Sequence, residues 1–178
     1  MPELYTPKAL PPQIDSVFNL IAGLKLTHVF CVGGAPRDAD NGFPIPDYDI
    51  FASALGGTDT FEQRLWSMGS VVQRHNRQPN RYTIQHGCAE IDLTVFDTPN
   101  KIDELLEAAP VGISAIAIQM EPRHVWVRND YEKNCAEKVI HLYSAWDDGE
   151  GRAYAQKMHE KTGWLVRGPR GQTITPAR

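Results

Sequence analysis

Cysteine is scarce in this 178-residue chain: Cys31, Cys88 and Cys135 are odd in number and include no Cys-x-x-Cys pair. That excludes a disulfide framework and the usual zinc-ligand spacing, and it suits a reducing compartment. Long apolar runs are missing too, since the longest, over residues 111–118, falls far short of the roughly 20 residues a membrane span needs. The N-terminus lacks the basic-then-apolar order of a signal peptide. A cytoplasmic protein with no membrane partner is therefore expected. No internal repeat or low-complexity segment is visible, and His86, His124, His141 and His159 share no spacing that would support a Ser-His-Asp arrangement.

What is present is an ordinary globular composition, 42% hydrophobic and 22% charged, in a length that fits one domain with a real core. The net charge of −4 is unevenly spread. Residues 157–178 carry Lys157, Lys161, Arg167, Arg170 and Arg178 against Glu160 alone, a local +4 that leaves −8 on the remainder. A basic tail on an acidic body is either a nucleic-acid contact or a solvated, partly disordered terminus. Arg74, Arg77 and Arg81 in the segment QRHNRQPNR offer a second basic stretch in a polar turn, with the same two readings.

Periodicity predicts helices over residues 14–24, 58–68, 100–108 and 151–161, with Gly163 ending the last. Strands are predicted over residues 28–32, 48–52, 71–73, 81–86, 89–96, 124–128 and 138–142, while 113–120 is apolar without a clear type. Trp66 is expected to pack beside Met68 and Phe61. Helices inserted among strands predict an α/β or α+β fold and argue against a helical bundle.

The chemistry concentrates in residues 31–53, CVGGAPRDADNGFPIPDYDIFAS, where a strand, a glycine turn and a helix start lead to a second strand opening with two aspartates. Strand alternation puts Asp47 and Asp49 on one side and Tyr48 and Ile50 on the other. Two carboxylates so placed repel each other unless a cation intervenes, and hard oxygen ligands favour Mg²⁺ or Mn²⁺. In AEIDLTVFD the same alternation sets Glu90, Asp92 and Thr94 opposite Ile91, Leu93 and Val95. If the two strands are neighbours, Asp92 completes a three-carboxylate site, with Glu90 as the second choice. Gly33 and Gly34 would let backbone N–H groups approach a triphosphate at a helix N-terminus, Arg37 would reach the same phosphates, and Asp38 would cap or orient Arg37.

These residues, in the order Gly33, Gly34, Arg37, Asp38, Asp47 and Asp49, resemble the Gly-Gly-x-x-Arg-Asp, Asp-x-Asp signature of the polymerase-beta-type nucleotidyltransferase superfamily. The closer likeness is to the head domain of the tRNA nucleotidyltransferase and poly(A) polymerase family. Fainter similarity continues through EIDLTVF, GISAIAI, KNCAEKVIHLYS and GRAYAQKMHEKTGW, covering residues 15–164 in all. The resemblance implies a minimal nucleotidyltransferase fold, a mixed twisted sheet with helices mainly on one face. It divides the chain into a head-like domain at 1–145 and a short neck-like helix with basic tail at 146–178.

It further implies transfer of a nucleoside monophosphate from a nucleoside triphosphate such as ATP to a hydroxyl acceptor, with an RNA or tRNA-like end as the partner. Asp47, Asp49 and Asp92 would serve as catalytic metal ligands, Gly33, Gly34, Arg37 and Asp38 as the nucleotide site, and Arg74, Arg77, Arg167 and Arg170 as nucleic-acid contacts. There are departures. Ala108, Ala109 and Pro110 stand where the family has Arg-Arg-Asp, and Gly112 and Ser114 replace its Thr and Asn. Tyr154, Lys157 and Lys161 replace neck arginines, and the sequence ends where the family continues into tRNA-holding domains, so a standard CCA-adding enzyme is not expected. The alternative is a non-catalytic nucleotide- or RNA-binding module on a degenerate transferase scaffold.

Overall fold

The computed structural model of the protein describes residues 1–55, 59–68, 71–75 and 78–174. Strands β1 (Pro2–Leu4), β2 (Thr27–Val32), β3 (Tyr48–Ser53), β4 (Val71–His75), β5 (Gln78–His86), β6 (Ala89–Phe96), β7 (Ile116–Gln119) and β8 (His124–Arg128) form one sheet in the order β1-β8-β7-β2-β3-β6-β5-β4. β3 and β6 run parallel, and the other neighbours in this sheet are antiparallel. The chain reaches β6 from β3 only after helix α3 and the β4–β5 pair, which is the long return a parallel partner requires.

The sheet is two-faced because its strands alternate. In β6, Ile91, Leu93 and Val95 are buried while Asp92, Thr94 and Phe96 are only half covered. The apolar face is roofed by α1 (Ile14–Gly23), through Val17, Phe18 and Ile21, and by α3 (Asp59–Ser67), through Phe61 and Leu65. Each fully buried apolar side chain of this kind contributes about 1.5–3 kcal/mol. Phe61 and Leu65, four apart, share the inward stripe of α3. Trp66, one step further round the helix, is therefore turned outward and 53% exposed rather than packed beside Met68 as the sequence suggests.

A second core lies beside the first. β9 (Val139–His141) and β10 (Leu165–Arg167) pair in parallel, and Ile140, Leu142 and Val166 pack with Val111, Ile113, Ala155, Met158 and Trp164. Ala155 and Met158 belong to α6 (Gly149–Thr162), which Asp148 caps by accepting from the Gly151 N–H and Gly163 ends at φ +71°. Much of the basic C-terminal stretch is thus built into the fold, since β10 depends on contacts far away in sequence. α2 (Gly34–Asn41), α4 (Ile102–Glu107) and α5 (Tyr131–Glu137) complete the structure. The run of uncertain type at 113–120 divides into a 3-10 turn, Gly112–Ser114, and β7.

Asp40, at the end of α2, is 3% exposed and accepts hydrogen bonds from the hydroxyls of Tyr5 and Tyr131, both at 2.9 Å, and from the backbone N–H of Lys8. One carboxylate thereby ties the N-terminal segment and α5 to the helix that leads out of the glycine turn. Asp40→Ala would leave these donors without their acceptor in a dry site, at about 1–3 kcal/mol for each such group. Urea unfolding should show a loss of about 2–4 kcal/mol, whereas Asp40→Asn, which keeps an acceptor oxygen, should lose less.

Candidate active site

The polar face of the sheet carries the predicted acids. β3 and β6 are paired with Tyr48 opposite Ile91 and Asp49 directly opposite Asp92, so the neighbouring strands supposed from sequence are in register at the two aspartates. Asp47, one residue before β3, lies on the same side as Asp49. A Cβ placed on Gly34 would come within 3.9 Å of the Asp47 Oδ1 and 4.0 Å of the Asp49 Oδ2, so glycine leaves open the space in front of both carboxylates.

Gly33 is the N-cap of α2 at φ +64°, a conformation that L side chains rarely adopt, and its own N–H donates to the Ile116 carbonyl. Pro36 carries no N–H. The amides of Gly34 and Ala35 are accordingly the donors the first turn of α2 can present to an anion.

Arg37 and Asp38 form a buried network beneath this turn. Arg37 is 3% exposed; its Nε donates to Asp38 Oδ1 at 2.8 Å, and its Nη1 to Ser114 Oγ at 3.0 Å and the Tyr154 hydroxyl at 3.2 Å. Asp38, fully buried, also takes the Lys161 ammonium at 2.5 Å. Asp38 orients Arg37 as expected, and both side chains are used in holding α6 against α2. Ser114, Tyr154 and Lys161, noticed in the sequence only as departures from a pattern, are the partners that make this network. Their sequence signal is the spacing of Tyr154, Lys157 and Lys161, three and four apart along one face of α6.

Electrostatics set the three carboxylates apart. Burial, then the neighbouring Asp47 and Asp92, push the Asp49 carboxyl up to about 6 against the pull of Arg81 and Arg37. Asp47 is raised by burial and by Asp92, with Lys157 opposing. For Asp92 burial acts upward, yet hydrogen bonds from Thr83 and Arg81 outweigh it and the carboxyl ends below its ordinary value. The Arg81 Nη2 lies 2.5 Å from Asp92 Oδ2 and the Thr83 hydroxyl 2.7 Å from Oδ1. Arg81, which the sequence places both at the start of a strand and at the end of a polar turn, is thus a β5 residue committed to the acid cluster. Glu90 is exposed and accepts from Gln85 at 2.6 Å.

Two cavities meet at this cluster. One, of about 140 Å³, is lined by Asp47, Asp49, Arg37, Lys157 and Lys161; the other, of about 230 Å³, by Phe51, Leu105, Ala108, Ala109 and Pro110. Gly34, Asp49 and Tyr154 border both. Among the described residues no three Asp, Glu, His or Cys side chains gather closely enough to cage a metal in this arrangement. The donor chemistry nevertheless fits a hard divalent cation: two carboxylates, each raised by burial and then by its acidic neighbours, face the opening that Gly34 leaves.

The predicted nucleic-acid contacts among the described residues lie on different elements. Arg74 is on the edge strand β4, paired with Glu62 at 3.3 Å and lying over the Tyr82 ring. Arg167 and Arg170 are exposed, in β10 and the turn after it. Arg77 lies outside the described residues. No described helix is long and apolar enough to cross a membrane.

Comparison with solved structures identifies the fold. The chain superimposes on a CCA-adding enzyme in complex with ATP at a TM-score of 0.69 and 18% identity, over 90% of this chain and 40% of that one. It matches the Bacillus stearothermophilus CCA-adding enzyme in complex with CTP at 0.67 and 19%, over 87% and 41%. The Thermotoga maritima CCA-adding enzyme complexed with tRNA gives 0.66 and 19%, over 90% and 40%. The architecture is therefore the nucleotidyltransferase fold of the tRNA nucleotidyltransferases, as the sequence resemblance implied, and the chain spans about two fifths of the length of these solved chains. No protein-family model and no curated protein sequence matches it.

The raised Asp49 carboxyl makes stability depend on pH. Its folded value of about 6 exceeds its ordinary 3.8, so the folded state holds the proton more tightly. Asp49 therefore favours the fold below about pH 4, and that advantage is lost as pH rises through 6. Asp49→Asn, free of this effect, should melt a few degrees higher than the unaltered protein at pH 7.5, with the gap closing by pH 4. Paired thermal melts across that range check it.

Proposed function

We propose that the protein is a divalent-metal-dependent nucleotidyltransferase that moves a nucleoside monophosphate from a nucleoside triphosphate to the terminal hydroxyl of an RNA. The observation that carries this reading is the placement of Asp47 and Asp49 before the Gly34 opening, with Asp92 in register beside Asp49 on a parallel strand.

The Gly34 and Ala35 amides and Lys157 would hold the triphosphate in the cationic half of the cleft, and the larger, apolar half would take the nucleoside. Asp47 and Asp49 would hold two metals and Asp92 the one on the acceptor side; when bound, that one would lower the acceptor's pKa and the other would neutralise charge building on the departing pyrophosphate. The acceptor oxygen attacks the α-phosphorus, a new P–O bond forms as the α–β bridge breaks, and pyrophosphate leaves with the bonding pair. The hydroxyl proton passes to Asp92 and from there to solvent. Arg37 would work from below as a positioning residue, fixing α6 and the glycine turn.

Incubation of the full chain with Mg²⁺, each α-labelled triphosphate and RNA bearing free 3′ hydroxyls should give labelled RNA and an equivalent of pyrophosphate. Asp49→Asn should lower incorporation by more than the roughly 10–100-fold typical of losing an outer-sphere metal partner. The complete engagement of Asp92 by Arg81 and Thr83 favours a second reading, a binding module without chemistry. Saturable triphosphate binding with no labelled product of any class would establish that one.

RNA binding adds a prediction of its own. Arg167 and Arg170 are exposed, whereas Arg74 already has Glu62. Replacing Arg167 and Arg170 with alanine should reduce the slope of log affinity against log salt by about 1.4, at roughly 0.7 per single-strand phosphate contact, and Arg74→Ala should change it less. Filter binding across a salt series measures both.

A further inference from the structure

The third carboxylate of this site is already taken. Antiparallel pairing of β5 with β6 sets Thr83 opposite Asp92 and Arg81 opposite Thr94, and strand alternation turns all four toward the polar face. Arg81 and Thr83 then occupy both oxygens of Asp92, the first as an ion pair at 2.5 Å. His75 stands behind them, its Nε2 at 2.9 Å from the Thr83 oxygen. Because Thr83 gives its hydrogen to Asp92, the His75 ring nitrogen donates to Thr83, and the hydroxyl is held in place from both sides.

A divalent ion and a guanidinium compete for one carboxylate, since each repels the other at contact distance. Thr83 is fixed by its two bonds, but the Arg81 side chain is 36% exposed and long enough to swing. An anion brought alongside is what would draw it away, because a guanidinium pairs with phosphate through the same fork of donors it offers carboxylate.

Resting on the transferase reading above, we propose that Arg81 is both the latch on Asp92 and the receptor for a phosphate next to the acceptor's hydroxyl. An acceptor carrying such a phosphate pulls Arg81 off Asp92. That frees an oxygen of Asp92 for the acceptor-side metal. Water and plain alcohols carry no anion and leave the latch closed, so triphosphate is protected from hydrolysis until a phosphate-bearing acceptor arrives. The acceptor class this selects is one that carries a phosphate beside the attacking hydroxyl, which a neutral small molecule lacks.

The test reads metal binding rather than turnover. Free Mn²⁺ is followed by its electron paramagnetic resonance signal while it is titrated into the full chain saturated with a triphosphate analogue that cannot be cleaved between the α and β phosphates. Additions are none, adenosine, or the trinucleotide ApApA with a free 3′ hydroxyl. The expected result is a further Mn²⁺ site in the unaltered protein with ApApA but not with adenosine. Arg81→Met should show that site without any acceptor, where the unaltered protein shows none, and Arg81→Lys should restore the dependence on ApApA. Equal effects of adenosine and ApApA on the unaltered protein would overturn the proposal, and that comparison needs no variant. Unchanged Mn²⁺ affinity in a folded Arg81→Met would overturn it too. If the unaltered protein binds no Mn²⁺ through Asp47 and Asp49 even with the analogue, the transferase reading itself fails, and the proposal with it.

Discussion

Like charges directly opposite one another on paired strands repel, and this protein puts Asp49 and Asp92 in that position at the centre of its sheet. The parallel pairing of β3 with β6 brings the two together while Ile50, Ile91 and Leu93 face the core, and a shift of one residue would bury the acids instead. Much of what surrounds the pair answers that repulsion. Arg81 and Thr83 secure Asp92, Lys157 opposes Asp47, and burial together with its acidic neighbours raises the Asp49 carboxyl to about 6. The site is electrostatically unfinished in a way that a bound cation would complete.

The network of Arg37, Asp38, Lys161, Ser114 and Tyr154 does different work. Buried ion pairs contribute little net stability, because removing charges from water costs about as much as their attraction returns. Breaking one is nonetheless expensive, since it strands a charge in a dry interior. This network accordingly penalises any arrangement in which α6 leaves α2, and it makes the C-terminal helix part of the cleft wall.

Elements with strong periodicity were legible from sequence. The helix at 14–24, the strand at 89–96 and the end of α6 at Gly163 all follow from local pattern, and the two-sided character of β3 and β6 followed from alternation alone. So did the shared face of Asp47 and Asp49. Three features were not legible, each for a physical reason. β10 is three residues long and exists because β9 is beside it. α5, seven residues, carries no sustained apolar stripe and is fixed by Tyr131 reaching Asp40. The pairing of Arg81 with Asp92 depends on the register of a hairpin, and in the linear sequence Arg81 is indistinguishable from Arg74 and Arg77.

The substitution of Ala108, Ala109 and Pro110 for a charged block acquires its meaning in the cavity these residues line. With Phe51 and Leu105 they make one half of the cleft apolar, while Lys157, Lys161 and Arg37 make the other half cationic, and Asp49 sits on the border. A ligand with one polyanionic and one neutral, flat portion would span that border with its junction over the carboxylates. On the transferase reading proposed above, that junction is the α-phosphate, and the α–β bridge would break within the polyanionic portion just beside it, so the polarity of the cleft, as well as the acids themselves, would select which phosphorus faces the acceptor. On that reading the same division of charge would set both where the ligand lies and which of its atoms faces the acceptor.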